Sequence, residues 1–165
     1  EILRRFSAMM TLDTLDRAIL AALADDGRLS QVQLAERIPL SPTAIARRIK
    51  ALEAAGVIEG YQARISRKAL GLTMTVVVSI SLRNQTEELM ASFEKAAVSA
   101  PSVIACQLMS GEDDYIVTVL ARDLADFERI HKNELSRLPG VARLVSSFVL
   151  RDVASRTLPG SSLVG

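Results

Sequence analysis

The sequence predicts an α+β protein with an N-terminal winged helix-turn-helix domain and a C-terminal ferredoxin-like β-α-β-β-α-β domain. Residues 30–61 hold two helix patterns with start and stop signals, separated by a short turn. After Gly71 the hydrophobic period changes from helical to two, and strand and helix patterns then follow in β-α-β-β-α-β order. We therefore expect a DNA-binding domain over residues 12–62, a linker over 63–72, a sheet domain over 73–153 and a tail over 154–165.

The composition excludes several other classes of protein. With 49% hydrophobic and 24% charged residues the chain is globular, and a net charge of +1 gives no general attraction to nucleic acid. Scarce aromatic residues argue against single-strand binding, which relies on stacked rings. Cys106, the only cysteine, lies in an apolar run, which predicts a buried, inert thiol rather than a disulfide or zinc ligand. With neither a membrane span nor a signal-peptide core in the sequence, we expect a cytoplasmic, nucleoid-associated protein.

Two helices are expected before the turn. Asp13 and Asp16 stand where an N-cap and its N3 partner belong, and their charge suits the positive end of a first helix. Ser30 and Gln33 have the spacing of a capping box, which predicts that a second helix begins there. This helix should continue until Pro39, which cannot donate a backbone hydrogen bond, breaks it.

The third helix has the pattern of a DNA recognition helix. Ser41 suits its N-cap, Pro42 its first residue and Gly56 the position after its C-cap. Thr43 and Arg47 fall opposite its apolar stripe, where they could meet base edges, whereas Arg48 and Lys50 are better placed for phosphates. The predicted DNA contacts are Ser41, Pro42, Thr43, Ala46, Arg47, Arg48 and Lys50. The alternative is an ordinary amphipathic helix with a solvated basic face, and the segment after it is either a short wing or a linker strand.

The sheet domain should contain four strands and two helices. The patterns place strands over 73–82, 103–109, 115–121 and 141–153, helices over 86–98 and 123–138, and a hairpin turn over 110–114. Two strands are apolar on both faces: Ile116 opposes Val117, and Phe148 opposes Val149. Two helices cover only one face of a four-stranded sheet, so we expect the other face to be covered by a second copy of the chain. A homodimer also suits a DNA site with two-fold symmetry.

The hairpin turn is the best candidate for a small-molecule site. Gly111 allows the backbone to turn and to present N–H groups to a carboxylate, and Asp114 could hold an ammonium group. A free amino acid carries both groups, whereas the alternative is a solvated acidic turn. His131 is expected to be a hydrogen-bonded core residue. Since no nucleophile–base pair, phosphate-binding loop or metal cluster is evident in the sequence, we expect neither an enzyme nor a bound cofactor or metal.

Several of these segments resemble the Lrp/AsnC family of transcription factors. The resemblance runs from about residue 12 to residue 153 and includes LDTLDRAIL, DGRLS, LSPTAIARRIKALEAAGVIEGY, SGEDDY and LSRLPGV in family order. It implies dimers whose sheets pack face to face, often assembled into octamers, with amino acids bound between dimers near the hairpin turn. The effector residues it implies are Gly111, Glu112, Asp113 and Asp114, with Glu134, Ser136, Ser147, Phe148 and Val149 from a neighbouring subunit. The chain departs from the family pattern at Ala44, Ala46, His131 and Glu134.

Two functions therefore compete. The first is a sequence-specific transcriptional regulator whose DNA binding or oligomeric state responds to an amino acid. The second is a DNA-architectural protein that wraps DNA without an effector. A metabolic enzyme subunit that uses the sheet domain as a sensor is the weaker third, because a catalytic constellation is not evident in the sequence.

Overall fold

The computed structural model describes residues 11–154, which divide into two compact units between Arg64 and Ile65. The N-terminal unit is helical, and the C-terminal unit is built on one antiparallel sheet. The α+β class, with a helix-turn-helix unit followed by a β-α-β-β-α-β unit, is confirmed.

The N-terminal unit consists of α1 (Thr14–Asp25), α2 (Gln31–Ala35) and α3 (Pro42–Ala54). The capping box predicted at the start of α2 is present, and the N-cap and N3 residues predicted for α1, Asp13 and Asp16, form a second one. The core of this unit consists of five buried aliphatic side chains from all three helices and the turn, namely Ile19, Leu34, Ile38, Ile45 and Leu52. Packing of these side chains, rather than helix propensity, holds such short helices together.

The second helix is shorter than predicted. It ends at Ala35, and Ile38 lies in the following turn, where it is buried and its N–H bonds the carbonyl of Leu34. Pro39 disfavours helical geometry in Ile38, so the turn cannot continue the helix beyond this point. Between α3 and the 3-10 turn Lys68–Leu70 the described chain contains no strand. Neither of the two predicted alternatives, a short wing or a linker strand, therefore pairs with another strand here.

The C-terminal unit contains β1 (Met74–Leu82), α4 (Glu87–Ser99), β2 (Val103–Leu108), β3 (Tyr115–Ala121), α5 (Leu124–Asn133) and β4 (Val141–Phe148). The strands are antiparallel in the order β2-β3-β1-β4. Alternate residues of the central strands, such as Val78 and Val117, are buried with Phe93 of α4 and Phe127 of α5. This cluster is the core of the unit and defines the helix-covered face of the sheet.

The opposite face of the sheet also carries apolar side chains from the two strands predicted to be apolar on both faces, interspersed with Ser and Thr side chains such as Ser79 and Thr118. Ile116 and Leu120 on β3 are half-buried, and they alternate with the buried Tyr115, Val117 and Val119. Val145 on β4 and Val149 just after it are 39% and 37% exposed. We call this side of the sheet, with Ile116, Leu120, Val145 and Val149, the open face.

Two predicted boundaries in this unit are wrong. The last helix ends at Asn133 rather than near residue 138, because a 3-10 turn, Leu135–Arg137, follows its C-cap residue Glu134. The carboxylate of Glu134 accepts hydrogen bonds from the backbone N–H and the hydroxyl of Ser102. The last strand ends at Phe148 rather than at residue 153, since its partner β1 begins at Met74 and offers only the carbonyl of Thr75 to the N–H of Val149.

Candidate DNA-reading face and effector turn

Helix α3 is fixed at both ends by its sequence. The hydroxyl of Ser41 accepts a hydrogen bond from the Ala44 N–H at 3.2 Å, and Pro42 occupies the first helical position. At the other end Gly56 has a φ of 70°, and the N–H groups of Gly56 and Val57 bond the carbonyls of Glu53 and Leu52. This double hydrogen bond is a Schellman motif, so the helix has a defined length as well as a defined start.

One face of α3 is free to meet a ligand. Ile45 and Leu52 are fully buried, whereas Thr43, Arg47 and Lys50 are exposed on the other side. Within residues 11–154 no hydrogen bond or ion pair engages the side chain of Arg47 or Lys50. The name reading face is used below for Thr43, Arg47 and Lys50. Of the other predicted contacts, Ser41 and Pro42 are exposed and Ala46 is half-buried beside this face.

Arg48 lies in a different environment from Arg47. Its guanidinium Nη1 donates to Asp13 Oδ2 and to Asp16 Oδ1, each at 2.7 Å. Asp13 and Asp16 also cap α1, through hydrogen bonds between the carboxylate of each and the backbone N–H of the other. Arg48 therefore ties α3 to the start of α1, which the helical projection alone does not reveal.

Acid should weaken this link. The pKa of Asp13 lies below its ordinary value of 3.8 because the Asp16 N–H and the Arg48 guanidinium favour the ionised carboxylate. A depressed pKa in the folded state stabilises the fold above the unfolded pKa, and this stabilisation is lost as the pH falls through the folded value. We expect the thermal unfolding midpoint to decrease as the pH is lowered from about 5 through the depressed pKa of Asp13, and to decrease less in Asp13→Asn, since Asn still caps a helix but does not titrate. An equal fall in both proteins, measured by circular dichroism, would contradict this assignment.

The hairpin turn connects β2 to β3, and side-chain hydrogen bonds also link it to the end of β1. The Asp114 carboxylate, in a residue only 9% exposed, accepts a hydrogen bond from the Leu82 N–H at 2.6 Å and another from the Gln85 side-chain amide. The hydroxyl of Ser81 bonds Asp113 at 3.3 Å. Asp114, predicted to hold an ammonium group, is thus already engaged in organising the turn.

Ser110, Gly111 and Glu112 are the exposed residues of the turn. Gly111 does not adopt a positive φ, and a Cβ added to it would meet no atom within 4 Å. The turn therefore does not require glycine for its conformation, contrary to the prediction. What glycine provides here is open space beside the exposed backbone of the turn.

The remaining predicted effector residues lie elsewhere in the unit. Tyr115, next to the turn, is opposite Ile80 of β1, whereas Phe148 is opposite Val76. Four residues of strand correspond to about 13 Å, so Ser147, Phe148 and Val149 lie towards the opposite end of the sheet from the turn. Glu134 is bound to Ser102 near that same end, and Ser136 lies 3.3 Å from His131 Nδ1. Within one chain, the hairpin turn and the predicted residues at the other end of the sheet therefore do not lie together.

His131 is half-buried rather than part of the core, and its ring lies 6.1 Å from that of Phe127. Cys106 is also half-buried, and burial together with the nearby Glu94 raises the pKa of its thiol, which suits an unreactive cysteine. Across residues 11–154 no three potential ligand side chains are grouped for a metal ion. Nor does any helix in that range have the length and apolar character needed to cross a bilayer.

Both units match protein-family models. Residues 12–59 match a winged helix-turn-helix DNA-binding domain, and residues 75–159 match the Lrp/AsnC ligand binding domain. The chain belongs to the Lrp/AsnC family. It is therefore a DNA-binding transcription regulator with a ligand-binding domain, and the helix-turn-helix assignment of α2 and α3 agrees with this membership.

Individual Lrp/AsnC relatives are similar along almost their whole length. The Bkd operon transcriptional regulator of Pseudomonas aeruginosa is 44% identical over 92% of this chain and 99% of its own. A transcriptional regulator of Neisseria meningitidis, solved as an L-Met complex, superposes with a TM-score of 0.87 at 34% identity over 93% of this chain and all of its own. The feast or famine regulatory protein of M. tuberculosis, complexed with L-methionine, has a TM-score of 0.77 at 29% identity over 90% of this chain and 99% of its own.

Proposed function

We propose that this Lrp/AsnC protein is a cytoplasmic, homodimeric regulator that reads double-stranded DNA with α3 and whose effector is an amino acid. The observation that supports it most directly is the reading face, an exposed set of hydrogen-bonding side chains on a helix fixed at both ends. Thr43 and Arg47 lie one helical turn apart on α3, where they can meet neighbouring base edges in a major groove. Lys50 continues the same face towards the phosphates.

The contact set of the proposal contains the reading face and its neighbours. Ser41 and Pro42 stand at the N-terminus of α3, where backbone N–H groups favour a phosphate. Ala46 is small enough for close approach to a base or a thymine methyl. Arg48 lies on the same helix, but its guanidinium is already bound to Asp13 and Asp16.

The proposed dimer forms through the open face. The apolar side chains of this face, Val145 and Val149 among them, are exposed to water unless another surface covers them. A second copy of the same face is self-complementary under two-fold symmetry and would place two reading faces for two half-sites. Larger assemblies such as an octamer would add contacts between dimers.

Val145→Asp should break this dimer, because the open face would then bury an unpaired carboxylate. Sedimentation at micromolar concentration should show a monomer for this variant and a dimer or larger species for the wild type. Val98→Asp is the matched control, since Val98 lies on α4 and is 82% exposed. A monomeric wild type, or equal effects of both variants, would refute the open face as the interface.

The proposed effector site combines the hairpin turn of one subunit with residues of another. Gly111 and Glu112 are exposed residues whose backbone N–H groups would suit the carboxylate of an amino acid. Asp113 and Asp114 shape the turn through Ser81, Leu82 and Gln85. Because they lie towards the other end of the sheet, Glu134, Ser147, Phe148 and Val149 would reach this site only from a neighbouring subunit, and Ser136 is proposed to act with them. The L-methionine complexes of two similar proteins support an amino acid as the ligand class.

A thermal-shift screen of the twenty amino acids tests the effector. A ligand that binds only the folded protein adds about 2.7 kcal/mol of stability at 100 times its Kd. Gly111→Ala should leave the free protein within about 0.5 kcal/mol of wild type, because a Cβ meets open space there, yet it should reduce the ligand-induced shift by obstructing the turn. Gly60→Ala is the matched control, since its Cβ also meets nothing within 4 Å but lies in the N-terminal unit.

The screen also separates the alternatives. If no amino acid shifts the midpoint or changes DNA affinity, the effector-independent architectural protein is favoured. An undiminished ligand shift in Gly111→Ala would move the site away from the turn. We further infer that the protein acts by binding rather than by catalysis, as expected for a family of transcription regulators.

A further inference from the structure

The link between α3 and α1 is a closed set of hydrogen bonds. Arg48 Nη1 donates to one oxygen of Asp13 and to one oxygen of Asp16. The second oxygen of Asp13 accepts from the Asp16 N–H at 2.7 Å, and the second oxygen of Asp16 accepts from the Asp13 N–H at 3.2 Å. All four carboxylate oxygens therefore have a donor, and the guanidinium holds α3 against the first turn of α1.

The burial of this group indicates a structural position. The side chain of Asp16 is only 5% exposed and that of Arg48 is 27% exposed, whereas Arg47 on the neighbouring position of α3 is an exposed residue. A buried carboxylate needs a partner, and Arg48 is the cation that reaches it. Moving Arg48 to a phosphate would leave the Asp16 charge without that partner.

The local charge also opposes a phosphate contact. One guanidinium and two carboxylates carry +1 − 2 = −1, so the group is acidic although it contains an arginine. A phosphate close to the Arg48 guanidinium would also lie close to Asp13 and Asp16, which repel it. The basic side chains suited to DNA are Arg47 and Lys50, which stand on the reading face without carboxylate partners in the described residues.

Resting on the proposed DNA-reading role of α3, we propose that Arg48 is a positioning residue that contacts no DNA. Together with Asp13 and Asp16 it sets the orientation in which α3 presents the reading face. Arg47 would then read bases correctly only while the three side chains remain joined. The two acidic residues, although they repel DNA, would be required for tight binding to the target site.

The sign of the effect of Asp16→Asn tests this proposal. If the acidic pair merely competes with phosphate for Arg48, removing one negative charge should tighten DNA binding. If the group positions α3, the same change should raise the Kd for target DNA by about fivefold or more, the lower value of one bidentate base contact, and the Kd for scrambled DNA much less. A tighter or unchanged target Kd for Asp16→Asn would overturn the proposal.

The salt dependence of binding gives a second, independent readout. Arg48→Ala should weaken target binding while the slope of log K against log salt stays at the wild-type value. Lys50→Ala, proposed to remove a phosphate contact, should lower the slope by about one for each phosphate that is no longer neutralised. An equal fall of the slope in Arg48→Ala would show that Arg48 binds phosphate, and the proposal would be wrong.

Asp13→Asn guards against loss of folding. Asp13 is half exposed, with 51% of its side chain accessible, and Asn caps a helix as well as Asp does. This variant should therefore fold, show the far-ultraviolet circular dichroism of wild type, and still bind target DNA more weakly. Unchanged or tighter target binding by folded Asp13→Asn would overturn the proposal.

Failure of this proposal is distinguishable from failure of the proposed function. If the wild type binds no DNA, or if Arg47→Ala binds its target as tightly as the wild type, the DNA-reading role itself is wrong. If the wild type binds its target and Arg47→Ala weakens it, but Asp16→Asn tightens it, only the positioning role falls. A double variant, Arg48→Ala with Asp16→Asn, should weaken target binding no more than the single variants do, because all of them break the same link.

Discussion

Arg47→Ala is expected to weaken binding to target DNA by about 1–3 kcal/mol per half-site, or roughly 5- to 150-fold. The physical reason is that Arg47 is exposed on the reading face beside Thr43 and has no partner among the described residues. Its guanidinium can therefore donate two hydrogen bonds to one guanine without first giving up an internal contact. In a symmetric dimer the substitution removes these hydrogen bonds from both half-sites together.

The measurement is a pair of binding titrations, one on target DNA and one on a scrambled duplex, each over a range of salt. Arg47→Ala should lose much more affinity on the target, whereas Lys50→Ala should lose similar affinity on both and lower the salt slope. Equal losses on the two duplexes for Arg47→Ala would make it a phosphate contact. If neither variant binds differently from wild type, α3 does not read DNA.

The helix starts were predictable because capping is local chemistry. The side chains of Asp13, Ser30 and Ser41 each accept a hydrogen bond from the backbone N–H three residues later. Such a pair can be recognised from its spacing in the sequence alone. Gly56 was predictable for a similar reason, since few residues other than glycine suit a φ of 70°. The β-α-β-β-α-β order followed from hydrophobic periods that persist over whole elements.

Features that depend on distant partners were not predictable. Glu134 ends α5 by binding Ser102, which lies 32 residues earlier in the chain. The carboxylate of Asp114 has the same sequence separation from the Leu82 N–H. Gln85 carries no signal in the sequence, because it looks like an ordinary polar residue after a strand. A helical projection placed Arg48 on the flank of α3 but could not show that Asp13 lies beside it.

Phe93→Ala is expected to lower the free energy of unfolding of the C-terminal unit by about 3–5 kcal/mol. Phe93 is fully buried, and its ring centroid lies 4.5 Å from that of Tyr115. Truncation removes the ring from the centre of the core, leaves a cavity and ends the contact with Tyr115. Tyr115 cannot easily fill the space, because its hydroxyl donates to Glu94 at 2.8 Å and its strand is held on both sides by β1 and β2.

Urea unfolding in a Tyr61→Phe background measures this change. The chain has two tyrosines and no Trp, so near-ultraviolet circular dichroism then reports Tyr115 and hence the C-terminal unit. Val98→Ala on the same helix is the control, since Val98 is 82% exposed and its truncation should stay within about 0.5 kcal/mol. A loss below about 1 kcal/mol for Phe93→Ala would mean that the core closes over the missing ring. A loss in the expected range would be a large part of the roughly 5–15 kcal/mol by which a folded domain is stable. The loss is large because Phe93 and Ala97 are the buried residues through which α4 packs on the sheet.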